Sequence, residues 1–597
     1  MKFACSGNKE YITNLEGALF NPIPIEETLW LPNTYHELSY DFFNNIHKMT
    51  FHEIALTISK QLIGTEIPEN ILKNIIEECF DFEIPLKKLN NKLYILELFH
   101  GPTLTFKDVG ARFMSRILRY FIHKDKEVSI IVSTSGDTGS AVASAFHKLS
   151  NVNVHILYPK NMISQVQEKQ IRSYGDNVYT YQVEGTFDDC QKLVKDTLND
   201  ENLRNMITFF PANSINIARL IPQTFYYFWM YAQLKKTNKQ FKQIYISIPS
   251  GNLGNLTGGI IAYKLGLPIK HYIAATNAND SFGQYLYFDN IKNKKAVPTI
   301  SNAMDVSIPN NLIRLKAIFK DNVDMQSKIS SISINDKETK ENITSVYNLY
   351  KYPMDPHTSV GYTALQKYIS TKDIKSYTGI ILSTAHPSKF PEVMDKLEIE
   401  YDIPSQLENL EYRSDRIYLK NNYSDWKNYL IKNSRKNITL IGMPGVGKSH
   451  IGKELSKITN WSYLDVDRIM EYEKGKKLHM ILEEMGNNDF KEYEQNCTLA
   501  LKGKNTIFSP GGSVIYSEKA MNHLKNISLI IFLDNSFEVI KKRLGDYSKR
   551  GIVLKINQTL EHLYYERTCL CNKYHHIKID CRKKQANKIC EEIMKYI

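Results

Sequence analysis

Leu98 to Arg112 reads LFHGPTLTFKDVGAR, and the rest of the chain is organised around it. Lys107 stands at its centre, between Phe106 and Asp108. A Pro-Thr turn precedes it, and a helix-like run, Val109 to Phe121, follows. A lysine held in an apolar pocket at a loop-to-helix junction has a depressed pKa and can form a Schiff base with a carbonyl compound. A surface lysine ahead of a helix would look the same. Three loops further along separate the two readings.

Val128 to Phe146, VSIIVSTSGDTGSAVASAF, reads as a short buried strand to Val132, a turn over Ser133–Gly139 and a small-residue helix from Ser140. Such a turn offers free N–H groups and the positive end of a helix dipole to an anion. The same architecture returns at Gln243–Ile248, followed by Pro249-Ser250-Gly251-Asn252-Leu253-Gly254-Asn255 and a helix containing Gly258 and Gly259. The third loop, Thr378 to Lys389 (TGIILSTAHPSK), ends its strand at Ser383-Thr384, placing a hydroxyl where open α/β sheets bind ligands. A reactive lysine, two anion cradles and a strand-end hydroxyl outline a site for pyridoxal phosphate (PLP).

A chain of 597 residues exceeds one ordinary core, so several domains are expected. Its 42% hydrophobic and 23% charged residues are those of a soluble globular protein, and no apolar run is long enough to span a bilayer. The start, MKFACSGNKEY, has no apolar signal core, which predicts a cytoplasmic protein with no membrane association. The net charge of +12 is spread among interleaved acidic residues, with no RNA-binding signature. It suits small phosphorylated ligands better than nucleic acid. Of the eight cysteines, half are widely scattered, as free thiols in a reducing compartment would be. The cluster Cys569, Cys571, His575, His576, Cys581 and Cys590 matches none of the usual zinc spacings.

Residues 1 to about 420 resemble threonine synthase of the longer bacterial and fungal kind, in the type II PLP fold of two open α/β domains. Nine segments carry the resemblance in order: HGPTLTFKD, STSGDTGSA, VQEKQ (166–170), VEGTFDDCQ (183–191), PANSINIARL (211–220), PSGNLGN, SNAMDV (301–306), DPHTSVGY (355–362) and LSTAHPSKFPE (382–392). The resemblance implies that Lys107 carries PLP and that Gly251, Asn252, Gly254 and Asn255 cradle the cofactor phosphate. It implies further that Ser135, Gly136, Asp137 and Thr138 receive the substrate carboxylate and that Thr384 faces the pyridine nitrogen. Asn213, Asn216 and Arg219 are candidates for the pocket wall, with Arg219 a possible phosphate fork. The implied reaction takes O-phosphohomoserine and water to threonine and phosphate; another type II PLP lyase, such as a threonine dehydratase, is the rival. Two elements depart from the family pattern. Ala4-Cys5-Ser6-Gly7 stands where it has a Ser-Thr-Arg-Gly-like start, and Ile25–Leu29 where it has an Asp-Gly-Gly-Leu loop. Residues 1–90 read as a helical scaffold of this unit, 91–420 as its catalytic region and 421–436 as a linker.

A second unit is expected over 437–597, a P-loop kinase α/β domain with a parallel sheet. Asn437–Ile441 reads as a strand, and Gly442-Met443-Pro444-Gly445-Val446-Gly447-Lys448-Ser449 follows. That is a phosphate-binding loop for ATP, with Gly442, Gly445, Gly447 and Lys448 around the phosphates and Ser449 on Mg²⁺. Asp465 and Asp467 end the next strand, where carboxylates two apart point to one side. Pro510-Gly511-Gly512 can bring backbone near an acceptor, and Lys549-Arg550 suits a lid. This region resembles shikimate kinase. The resemblance implies that Asp465 helps Ser449 with Mg²⁺, that Asp467 and Arg550 are catalytic, and that Gly511, Gly512 and Arg567 hold the acceptor. Lys491 stands where the family has an acceptor-binding arginine, and lysine does not make the same carboxylate fork. Three roles stay open: a kinase of shikimate, a kinase of homoserine that feeds the first unit, or an ATP-binding regulatory module. Oligomeric state is not legible.

Overall fold

Apolar runs closed by Gly, Ser and Thr make parallel strands buried on both faces, which helices must cover. The computed structural model describes residues 2–122, 127–237, 240–290, 295–408, 410–434, 437–503, 505–545 and 558–596. They fall into two compact units, 1–194 with 209–421 and 195–208 with 422–597. The first contains three sheets, two of them mainly parallel. One has six strands in the order Ile329–Ser333, His271–Thr276, Ile244–Pro249, Thr378–Ser383, Leu93–Glu97 and Leu86–Lys88, parallel except for the last. The other has five parallel strands in the order Arg416–Lys420, Val178–Glu184, Val152–Pro159, Val128–Ser133 and Phe209–Pro211.

The N-terminal part is not purely helical. Phe3–Cys5, Asn8–Thr13 and Trp30–Pro32 form a small antiparallel sheet. The helix Phe51–Ile63 follows the amphipathic pattern: Thr50 and Glu53 make a capping box, and Ile54, Ile58 and Leu62 are buried. Three boundaries differ from the sequence reading. Lys107 is itself the first residue of the helix Lys107–Phe121. The helix after Val128–Ser133 begins at Asp137, because Gly136 turns the chain with φ +126°. The polar stretch 404–436 contains a strand, Arg416–Lys420, whose charged and polar side chains suit the sheet edge it occupies. Within 421–436, read as a partly helical linker, the structure has a helix, Tyr423–Ser434. Trp426 on that helix is fully buried and donates from Nε1 to Thr197 Oγ1 at 2.6 Å. Residues 435 and 436 lie outside the described residues.

The second unit has one parallel sheet in the order Ser462–Asp465, Thr506–Ser509, Asn437–Ile441, Leu529–Asp534 and Ile577–Asp580. Its core gathers Ile441, Val466, Phe490, Phe508, Ile530 and Phe532. Among the described residues no helix is long and apolar enough to cross a membrane.

Arg314 ties three parts of the first unit together. It is fully buried and donates to the carbonyls of Trp30 (2.9 Å), Ser214 (2.9 Å) and Ile215 (2.5 Å) and to Asn311 Oδ1 (2.6 Å). Burial lowers its pKa to about 9, with Tyr35 opposing. Replacing it by Met strands these acceptors, so Arg314→Met is expected to cost the first unit about 3 kcal/mol. The check is a lower urea midpoint for the first unit, with the transition of the second unmoved.

Candidate functional site

In the first unit, the carboxyl ends of Val128–Ser133, Ile244–Pro249 and Thr378–Ser383 open onto one cavity. Lys107, Ser135, Asp137, Thr138, Asn213, Arg219, Gly251, Asn252, Gly254, Asn255 and Thr384 all line it, together with Gln223 and His357. Gly136 and Asn216 do not. Gly136 shapes the turn beneath, where Thr134 Oγ1 accepts from the N–H groups of Gly136 (2.9 Å) and Gly139 (2.8 Å). Asn216 is turned into the scaffold: its Oδ1 caps Ala218 N (3.1 Å) and its Nδ2 donates to Leu19 O (3.0 Å).

The loop bearing Lys107 is pinned to the end of Thr378–Ser383. Phe106 N donates to Thr384 O at 2.8 Å, and His386 N to Leu104 O at 3.0 Å. Asp108 turns away from the cavity and accepts from Thr103 N (2.9 Å) and Thr103 Oγ1 (2.6 Å). Lys107 Nζ lies 3.5 Å from Asp137 Oδ2. Lys389 Nζ, fully buried, lies 3.0 Å from Asp137 Oδ1 and donates to Thr103 O at 2.8 Å. Gln167 Nε2 donates to Asp137 Oδ1 at 3.0 Å. Burial lowers the Lys107 pKa, Asp137 opposes the shift, and Lys389 and Arg219 add to it. Burial by itself would raise Asp137, yet Lys389 and Lys107, with His357 and Gln167, hold it well below the usual carboxylate range. The side chain of Asp137 is therefore an anion facing two lysines, while the hydroxyls of Ser135 and Thr138 line the same turn of the cavity.

Across the cavity, Leu253 is held at φ +58°, a costly conformation for a branched residue. Thr257 fixes it by donating from N (2.9 Å) and Oγ1 (2.7 Å) to Leu253 O. The turn aims the start of helix Gly254–Lys264 into the cavity. Tyr226 and Tyr227 each donate to Asn255 Oδ1 at 2.7 Å, which fixes the amide with Nδ2 left as a buried donor without a partner. Asn252 O accepts from Asn311 Nδ2 at 2.9 Å, so Arg314 braces this loop through Asn311. Arg219 donates from Nη1 to Ala212 O at 2.7 Å, with Nε buried and unpaired. Lys389, Gln167 and His357 sit in quoted family segments with no role assigned from sequence. Arg314, Asn311, Tyr226 and Tyr227 had no sequence signal.

In the second unit a wider cleft is lined by Gly445, Gly447, Lys448, Ser449, Asp467, Glu494, Gly511, Gly512 and Arg567. Gly442, Gly445 and Gly447 have φ of +147°, +79° and +112°, as the loop requires. Gly442 and Asp465 lie just outside the lining: Lys448 Nζ donates to Gly442 O (3.0 Å) and Ser449 Oγ to Asp465 Oδ2 (3.0 Å). The two aspartates do not share a strand. The strand ends at Asp465, and Asp467 belongs to the first turn of helix Val466–Lys474, which carries it into the cleft. Lys491 is not in this cleft. Its ammonium sits 4.9 Å from the centre of the Tyr516 ring and lines a neighbouring hollow instead. Glu494, one helical turn on, is the residue of that helix that stands beside Gly511 in the cleft. Arg550 and its neighbours lie outside the described residues. Among the described residues no group of three or more His, Cys, Asp or Glu is arranged to hold a metal ion.

Comparison with known proteins agrees with this geometry. Residues 78–384 match the family model of pyridoxal-phosphate dependent enzymes. Residues 5–80 match the threonine synthase N terminus, 358–429 the threonine synthase C-terminal region and 444–597 shikimate kinase. The fold and cavity of the first unit are those of a pyridoxal-phosphate dependent enzyme. The threonine synthase of Haemophilus influenzae is 40% identical over 411 residues, 68% of this chain and 94% of that protein. The crystal structure of threonine synthase from Escherichia coli superposes with a TM-score of 0.67 at 37% identity, covering 72% of this chain and 99% of that one. A PLP-bound threonine synthase from Brucella melitensis superposes equally well, TM-score 0.67 at 29% identity, over 73% of this chain and all of that one. The chain belongs to the threonine synthase family and carries a shikimate kinase-like segment after it.

The cleft of the second unit stores unfavourable charge. Burial raises Glu494 to about 7, with Asp467 adding to the effect and Ser513, Arg567 and Lys448 opposing it. Folded Glu494 therefore keeps its proton up to about pH 7, while the unfolded chain releases it near 4.5. The folded state binds more protons in that window, so stability falls as pH rises through it. Glu494→Gln is expected to match wild type at about pH 4 and to exceed it at about pH 8 by on the order of 3 kcal/mol. The melting temperature of the second unit at the two pH values is the measurement.

Proposed function

We propose that the first unit converts O-phosphohomoserine and water into threonine and phosphate, and that the second transfers a phosphoryl group from ATP to a small hydroxylated acceptor. The observation that carries the first part is Lys107, a low-pKa amine at the cavity wall, facing an anion cradle across the cavity. The residues present fit pyridoxal phosphate. Asn255 Nδ2 is an unsatisfied buried donor, and a Cβ at Gly251 would come within 2.9 Å of Met304 Cα, so only glycine keeps that turn. When bound, the cofactor supplies an electron sink for a carbanion. Gly251, Asn252, Gly254 and Asn255 hold its phosphate, and Thr384 presents a hydroxyl to its pyridine nitrogen. Ser135 and Thr138 orient the substrate carboxylate. Lys107, as a free amine, takes the proton from Cα and returns it further along the chain. Arg219, a cation of the cavity lining, would meet the leaving phosphate. Lys107→Ala, separated from unbound cofactor, is expected to lack the visible absorbance band of lysine-bound cofactor; a retained band overturns the assignment.

For the second unit, the phosphate loop, Lys448 and Arg567 bind the anionic groups, and Asp467 takes the proton of the acceptor hydroxyl. Ser449 and Asp465 are adjacent hard oxygens, the donor set Mg²⁺ prefers. Shikimate is the acceptor that the family match supports. A second reading, homoserine, is favoured by one observation: a carboxyl, Glu494, rather than Lys491, faces the acceptor end of the cleft, and it suits an ammonium group. Purified protein with PLP, Mg-ATP and either compound decides between them. Threonine from homoserine means that the second unit feeds the first; ADP release with shikimate alone means two separate activities. Lys448→Ala should remove ADP release by at least about a hundredfold. Turnover of O-phosphohomoserine with silence toward both acceptors would point to a regulatory ATP-binding module.

A further inference from the structure

Lys389 is a fully buried cation for which the reaction above has no use. It comes from the short turn Pro387–Lys389, which follows Thr384 beyond the carboxyl end of the strand Thr378–Ser383, and it stands behind Asp137 of the cavity wall. Its ammonium touches Asp137 Oδ1 at 3.0 Å and Thr103 O at 2.8 Å, and the same carboxylate faces Lys107 through Oδ2 at 3.5 Å. One anion is thus shared between two lysines, and the closer one is not at the reaction centre.

We infer that Lys389 is a positioning residue that occupies the Asp137 carboxylate and so keeps the amine of Lys107 free to react. The inference rests on Lys107 being the working amine of the first unit. An aspartate within 4 Å of a lone lysine stabilises the ammonium form. A nucleophile or general base needs the opposite. Lys389 resolves the conflict by taking the nearer oxygen, so Asp137 orients Lys107 without claiming its proton. Gln167 Nε2, also on Oδ1 at 3.0 Å, completes the clamp from helix Gln165–Arg172. The charged groups around Lys107 are Asp137 and, repelling it, Lys389 and Arg219. His357 faces Asp137 as well, and Asp108 faces Lys389.

The test is made on cofactor-free full-length protein, so it does not depend on whether Lys107 is the attachment point of PLP. Acetic anhydride labelling of Lys107, followed by peptide mass spectrometry across a pH series, reports the free amine directly. Lys389→Met leaves Asp137 wholly to Lys107, so labelling at neutral pH is expected to slow by about tenfold and its midpoint to move up. Asp137→Asn is expected to move the midpoint down, and Lys389→Met in that background to move it up by less than it does in the wild type. Melting curves identify any variant that fails to fold. If Lys389→Met does not fold, the single variant Asp137→Asn still decides, since an unmoved midpoint there removes the basis of the inference. A folded Lys389→Met with a wild-type profile, or an equal slowing in the Asp137→Asn background, overturns it. A lost cofactor band in Lys107→Ala with these profiles unmoved would sink this inference alone.

Discussion

Parallel pairing is the constraint on which both units depend. Parallel neighbours need a crossover after each strand, and helices that cross back leave every strand pointing the same way. The carboxyl ends of the strands therefore collect at one edge of each sheet, with helix N-termini beside them. Val128–Ser133 and Ile244–Pro249, from different sheets, each deliver a Ser/Gly turn to one cavity, and Asn437–Ile441 does the same alone in the second unit. Leu253 at positive φ, and the three glycines of 442–447, are local costs that this arrangement sustains.

Buried charge is handled differently in the two sites. In the first, cations outnumber anions near Lys107, so the carboxylate is held ionised and the amine is held weakly basic. In the second, Glu494 and Asp467 crowd Gly511, and burial lifts both carboxyls. A site that already repels protonated amines suits a reaction run by a free lysine. A site with two reluctant carboxyls suits an acceptor that brings its own positive or hydrogen-bonding group.

Much of this was legible along the chain. The alternation of buried strands, small-residue turns and helix starts is set by contacts a few residues apart, so STSGDTG, PSGNLGN and GMPGVGKS announce their loops by composition alone. The helix starts were misread by two residues at Lys107 and by three at Asp137, where the φ of Gly136, not hydrophobic pattern, turns the chain into the helix. The aspartates of 465–467 misled for a related reason. A spacing of two means one side only while the strand lasts, and this strand stops at Asp465.

The sequence by itself determined that there are two α/β units and which loops bear Lys107 and Lys448, because local backbone preferences are written in neighbouring residues. Tertiary structure alone decided that Lys389 closes on Asp137, that Arg314 braces Asn311 and Trp30, and that Lys491 lies over Tyr516 while Glu494 faces the cleft. The partners are far apart in the chain, and a buried charge carries no mark in its own neighbourhood of the group that will neutralise it.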